Sequence, residues 1–328
     1  MVVVMIGALI PATQRRELSE LHDRIDLGDG DRAAKRSGYW AMLVLAGVIA
    51  TAGVIGDSTA TVIGAMIVAP LSTPILAVGL GIVTGSAALV GRSLAYVLAS
   101  VAAVVAIGIL VALIMPNPTS VLTNSQVVGR VSPTLTDLVA AVATGFAGSI
   151  ALTRRDVGDV LPGVAIAISL VPPLGVVGVC LGSREPELAL GALVLFASNM
   201  VVLIIAAVVV LMAAGYARES SESAGARWRG RAYAALAVVL VAVGVPMTLN
   251  TMTSLWADQV QALAAAWVSD IPEAEVSEVT WSGHGLIVEV RSPEDLPDVA
   301  VLQDAVDQAL PTDPDVTVVH TVGERLSE

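Results

Sequence analysis

The sequence predicts an α-helical polytopic membrane protein of about seven transmembrane segments, followed by a small C-terminal α/β soluble domain. Three observations predict it. Apolar residues make up 55% of the 328-residue chain, charged ones only 14%, and the mean hydropathy is +0.82. A soluble protein carries about 25% charged residues. The apolar residues fall into seven runs, at about 39–55, 58–84, 93–115, 135–152, 160–181, 188–213 and 232–249. Each is near the roughly 20 residues that a helix needs to cross a bilayer. The net charge of −12 is segregated: from Asn250 to Glu328 there are fifteen Asp and Glu against two Arg, and the first 249 residues are close to neutral. The expected domains are an N-terminal segment 1–38, a transmembrane domain 39–249 and an acidic domain 250–328.

Residues 12–38 are polar and basic, with Arg15, Arg16, Arg24, Arg32, Lys35 and Arg36, and Gln14 to Asp26 reads as a short surface helix. Met1 to Pro11 is apolar but too short to span and lacks a basic start, so it does not read as a signal peptide. Leu27 to Asp31 reads as a turn. Its Asp-x-Gly-Asp run lacks the length and closing Glu of a calcium loop.

The second run organises the rest. Gly56-Asp57-Ser58 opens it, Thr59 to Val68 continues it as an apolar helix, and Ala69-Pro70-Leu71-Ser72-Thr73-Pro74 breaks it. A proline deletes a backbone donor and clashes with the preceding turn. In lipid this is tolerated only where neighbours or water satisfy the freed groups. A weak copy recurs in the fifth run, where Gly158-Asp159 leads to Ser169-Leu170-Val171-Pro172-Pro173. Asp57 matches Asp159 and Pro70 matches Pro172 at one common offset. Three segments per unit is an odd number, so the second unit enters the membrane from the opposite side. The reading is a 3+3 inverted repeat, 39–115 and 135–213, with two proline-broken helices and an extra helix at 232–249. Paired broken segments of this kind point to a substrate or ion site in a transporter.

Basic residues set the orientation. With all seven segments crossing and a cytoplasmic N-terminus, thirteen bases fall inside and only Arg130 and Arg184 fall outside, ahead of the tail. If the two broken segments re-enter instead, the split is eleven to four. The positive-inside rule favours the first arrangement. Both place the tail outside the cytoplasm, in a multi-pass protein of the cell membrane.

Within the tail, Thr253 to Val268 reads as a helix, Val276 to Trp281 and Leu286 to Arg291 as a β-hairpin, Leu296 to Leu310 as a second helix, and Val316 to Val322 as a third strand. Its plain roles are a lid, a stalk or an oligomerisation surface; His284 and His320 read as turn and strand residues rather than metal ligands.

The run Ser58-x-Ala60-x-Val62-Ile63-Gly64-Ala65-Met66-Ile67-Val68-Ala69-Pro70-Leu71 with Pro74-Ile75-Leu76 resembles the hallmark of a bacterial hydrophobic family, domain of unknown function 389. Leu161 to Ala167, Leu170-Val171-Pro172-Pro173-Leu174 and Asn199 are similar to its second signature. The resemblance covers about residues 35–215. It implies a compact membrane domain and no particular chemistry.

The residues expected to bind a ligand are Asp57, Ser58, Pro70, Ser72, Thr73, Ser169, Pro172, Pro173 and Asn199. Freed carbonyls at a break suit a cation, and the N-terminus of a half-helix suits an anion. Each has a plainer reading: a kink relieved by a neighbouring helix for the prolines, interhelical glue for Asn199, and helix capping for Asp57, Asp159 and Asp137. A lone cysteine, Cys180, allows no disulfide within the chain and no cysteine-based metal site. No nucleotide-binding Gly-Lys motif, His-Glu zinc pair or activated serine is present, so neither an enzyme nor a cofactor is expected. No basic domain suggests nucleic acid. Two functions fit: a transporter or channel for a small solute or ion, or a membrane-anchored sensor or scaffold whose acidic domain binds the ligand or partner. A homodimer is the default expectation, on how common such dimers are.

Overall fold

The computed structural model describes residues 9–114, 121–157, 170–219, 225–282 and 285–322. The chain divides into two compact units, Met1–Met247 and Thr248–Glu328.

The first unit is a helix bundle. After a short α1 (Leu18–Ile25) come α2 (Arg32–Ile55), α3 (Thr59–Val68), α4 (Ser72–Thr84), α5 (Ala87–Ile114), α6 (Ser125–Val131), α7 (Leu135–Thr153), α8 (Val171–Gly182), α9 (Pro186–Ala213), the single-turn α10 (Tyr216–Glu219) and the part of α11 (Gly225–Trp267) up to Met247. Among the described residues five helices are long and apolar enough to cross a membrane, and six if the bent pair α3–α4 counts as one span. Sequence reading expects seven. The difference lies in the run at 160–181, of which only α8 falls in the described residues.

Packing shows why such helices need lipid. Leu45, Leu98, Leu113, Val139, Val238 and Val241 are all exposed on the outer faces. A soluble monomer rarely tolerates a contiguous apolar surface of this extent. Inside, small residues bring backbones together, as is usual between membrane helices. Where α5 crosses α8, a Cβ on Gly178 would lie 2.6 Å from both the Gly108 Cα and the Val105 carbonyl oxygen. Where α4 crosses α9, a Cβ on Gly79 would lie 2.8 Å from the Ala207 Cβ. Buried hydroxyls turn onto their own helices: Thr51 donates to the Gly47 carbonyl at 2.8 Å, Ser149 to Gly145 at 2.7 Å and Ser198 to Leu195 at 2.7 Å.

The bundle has two chemically distinct ends. At one, the N-terminal strap is sewn to the ends of α7 and α9. The Arg16 amide donates to the Thr153 carbonyl at 2.9 Å, the Arg155 amide to Gln14 at 2.8 Å, and the Tyr216 hydroxyl to Arg16 at 2.6 Å. Arg155 pairs with Glu20 at 3.0 Å, Arg15 pairs with Glu219 at 2.6 Å and lies over the Tyr216 ring, and Arg92 pairs with the buried Asp26. The expected surface helix is shorter than its sequence suggests, Leu18–Ile25, and is no mere surface feature. Leu21, Ile25 and Leu27 are buried in the same core as α2, α4 and α5. At the other end, the Asn124 amide group donates to the Val54 carbonyl at 2.7 Å, and Gln126 reaches Thr59 at 2.8 Å.

One further boundary moves. The sequence suggests separate helices at 232–249 and 253–268. The structure has the continuous α11, with Pro246 inside it. The polar Asn250 and Thr251 do not end a helix by themselves, and the first strong stop is Pro272, shortly beyond Trp267.

In the second unit, β1 (Glu275–Ser282) pairs antiparallel with β2 (Gly285–Ser292), and β2 pairs parallel with β3 (Asp315–Val322), giving the order β1-β2-β3. A parallel pair needs a crossover, and α12 (Val299–Ala309) supplies it. Alternate β2 residues Leu286, Val288 and Val290 are buried with Leu302 and Val306 of α12 and with Val260 and Ala264 of α11.

Candidate functional site at the broken helices

The centre of the site is a backbone event. Pro70 disfavours helical geometry in the residue before it, and Ala69 is extended, with φ −69° and ψ 124°. Having no N–H, Pro70 cannot bond to the Met66 carbonyl. Helix α3 therefore ends at Val68, and α4 starts at Ser72 with its axis turned by 48°. Pro74 falls in the first turn of α4, where its missing donor costs little. The Thr73 amide closes the turn onto the Pro70 carbonyl at 3.1 Å.

A second proline-marked helix start is that of α8. Leu170 is its N-cap, and Pro172 and Pro173 lie in its first turn. Ala69, Leu71 and Ile75 from one side and Leu170, Val171 and Leu174 from the other belong to one buried cluster. The proline-marked starts of α4 and α8 thus contribute to one extended buried core, which also takes in residues of α1, α2, α5 and α9. Each N-terminus presents backbone N–H groups and the positive end of a helix dipole. Pro172 and Pro173 are buried, whereas Pro70, Ser72 and Thr73 are half-buried.

Asn199 is 5% exposed on α9, one turn from Phe196 and Leu203, and both of these join the cluster that holds Leu71 and Val171. An amide held there requires hydrogen-bonding partners, because transfer of such a group into an apolar interior without them is costly.

Asp57 and Ser58 lie elsewhere. The ten-residue α3, about 15 Å long at 1.5 Å per residue, separates them from the break. Asp57 occupies the turn between α2 and α3 with φ 48°. Its Oδ1 accepts from the Ser125 hydroxyl at 2.6 Å and the Gln126 amide at 3.2 Å. The Ser125 hydroxyl bond, reinforced by the backbone amide of Gln126, holds this carboxyl below the ordinary carboxylate range. Ser58 is the N-cap of α3, accepting from the Thr61 amide at 3.3 Å. The capping reading describes both as they stand. Asp137 likewise closes a capping box with Thr134 at the start of α7. Ser169 and Asp159 lie outside the described residues.

Sequence reasoning missed Ser125 and Gln126, which Asp57 engages, and Asn124, which caps the same helix. The signal available was the N-capping Asn ahead of a short apolar run. It also missed Tyr216, whose hydroxyl burial pushes up to about 12 and whose ring receives Arg15.

The stretch from Met66 in α3 to Ile205 in α9 contains the break, both proline-marked N-termini and Asn199. Residues 66–205 match the model of a domain of unknown function, DUF389. The match lies within the 35–215 range over which the motifs show the resemblance. Residues of the second unit lie outside it. The chain is also 32% identical over 174 residues to the uncharacterized protein MJ0678 of Methanocaldococcus jannaschii, an alignment covering 53% of this chain and 53% of that protein. The chain thus matches about half the length of that curated relative. No solved structure matches the chain.

Proposed function

We propose that the DUF389 bundle is a transporter or channel for a small solute or ion, with its site where the α3–α4 break meets the N-terminus of α8 near the middle of the membrane. One observation carries the reading: a bent, proline-interrupted span and a second proline-marked half-helix share one buried core. Irregular backbone at membrane depth persists where protein or a water-lined cavity satisfies it.

Part of the packing pattern supports the inverted repeat, although the contact of α2 with α8 has no equal between α7 and α4. Under the offset that aligns Pro70 with Pro172, α2 corresponds to α7, α4 to α8 and α5 to α9. Helix α4 packs on α5 and α9; α8 packs on α9 and α5. Exchanging the two halves therefore maps these contacts onto one another. Helix α2 packs on α5 as α7 packs on α9. The orientation follows from charge. The end bearing Arg15, Arg16, Arg92, Arg154 and Arg155 faces the cytoplasm, and the end bearing Asp57 and Ser125 faces outward.

The test is solute flux in proteoliposomes with Ser72→Ala, Thr73→Val and Asn199→Ala. The proposal expects each variant to fold with an unchanged melting profile and at least one of them to cut flux about tenfold or more, the loss of roughly 1.4 kcal/mol of interaction. Wild-type flux in all three variants would overturn it.

A further inference from the structure

A groove of about 400 Å³ runs along the first unit between α4, α5, α9 and α11, remote from the break. This is at the small end of the range of about 300–1,000 Å³ for ligand sites. Val78 and Ile82 of α4, Leu94 of α5 and Ile204 of α9 form its floor and one wall, and the other wall is α11 from Trp228 onward. The lining is apolar except for one charged residue, Arg231.

Three observations fix the occupant. The groove opens to the outside of the bundle, where the surroundings of a membrane protein are acyl chains. Its Arg231 end lies at the basic end of the bundle: Tyr233, two residues on, donates to the Met212 sulfur in the last turn of α9 at 3.4 Å. That is the level at which headgroup phosphates lie. Arg231 itself is exposed and makes no hydrogen bond or ion pair among the described residues. A guanidinium matches a phosphate with paired N–H donors. Trp228, one turn earlier on the same face of α11, is the residue type that settles at the membrane interface.

We propose that this groove is a binding site for an anionic phospholipid, one acyl chain lying against Val78, Leu94 and Ile204 and the phosphate on Arg231. The lipid belongs to the leaflet at the basic end. A purely apolar solute would match the apolar wall but leave the guanidinium without an anion.

The experiment uses the full-length protein in neutral detergent, with bound lipid counted by native mass spectrometry during titration with phosphatidylglycerol or phosphatidylcholine. The proposal expects one saturable lipid, with phosphatidylglycerol bound roughly fivefold tighter, the worth of about one Arg near an anionic surface. Ala235→Trp, which fills the groove from an exposed position on α11, is expected to abolish saturable binding of both lipids. Arg231→Gln is expected to keep binding and lose the preference. Val239→Phe serves in place of Ala235→Trp if the latter does not fold. Saturable binding unchanged by groove filling, a preference that survives Arg231→Gln, or the absence of saturable binding would each overturn the proposal. So would glycerol phosphate alone competing as well as the intact lipid, or groove filling that converts a dimer to a monomer.

Discussion

Asp57 carries a left-handed backbone in a turn only two residues from a helix on either side. Its carboxylate is engaged by a hydroxyl and an amide from the start of α6, a segment distant in sequence. Because those bonds lower its pKa in the folded protein, its contribution is present above the unfolded carboxylate value, about 3.9, and is lost as pH falls through the lower folded value. Asp57→Asn preserves the turn, since Asn tolerates this backbone, and removes the charge. Thermal melts are expected to show a lower Tm for the variant at pH 7 and convergence with wild type as the pH falls below the carboxylate range. Equal melting at pH 7 would contradict the clamp. The presence of a carboxylate at this place is legible in the sequence. Its partner is not, because nothing local ties Asp57 to Ser125, and the pairing exists only once α2 and α3 bring the turn beneath α6.

At the scale of elements, glycine sets how closely helices pass. Gly178→Ala places a methyl where the α5 backbone already lies, and is expected to cost about 1–3 kcal/mol, the usual cost of overpacking. Gly91 on α5 has open space about it, so Gly91→Ala is expected to be neutral or to stabilise by up to about 1 kcal/mol, the difference in helix propensity. Denaturation of both variants in mild detergent checks the contrast, and equal effects would contradict the crossing. The two glycines look alike in the sequence, which marks both as small helix residues. Only the crossing of α5 and α8 separates them. The same limit explains the N-terminal strap. Leu18, Leu21 and Ile25 have helical spacing and are readable as an apolar face, but the core they enter comes from helices far along the chain. The hairpin was legible because alternation and a glycine turn are local. The bulge between Val276 and Glu278 was not, being a shift in pairing with β2.

For the whole molecule, Arg15, Arg92 and Arg155 gather with their acidic partners at one end of the bundle, as the sequence leads one to expect of loops separated by an even number of crossings. Orientation is testable by thiol labelling of intact cells in a Cys180→Ser background. Asp156→Cys at the basic end is expected to resist an impermeant reagent added outside, and Glu187→Cys, at the start of α9, to react. The reverse pattern would contradict the orientation. What the sequence leaves open is whether the two interruptions share a core. Pro70 and Pro172 announce two interruptions, but their sharing one core depends on α4 and α8 each packing against both α5 and α9. The most direct test of that shared core as a site is flux of a panel of labelled small ions and solutes from liposomes containing the full-length protein. The account predicts that at least one solute leaves faster than from empty liposomes, and that Ser72→Ala or Asn199→Ala suppresses this release while Asp57→Asn does not. Release indistinguishable from empty liposomes for every solute, or release untouched by both variants, would contradict it.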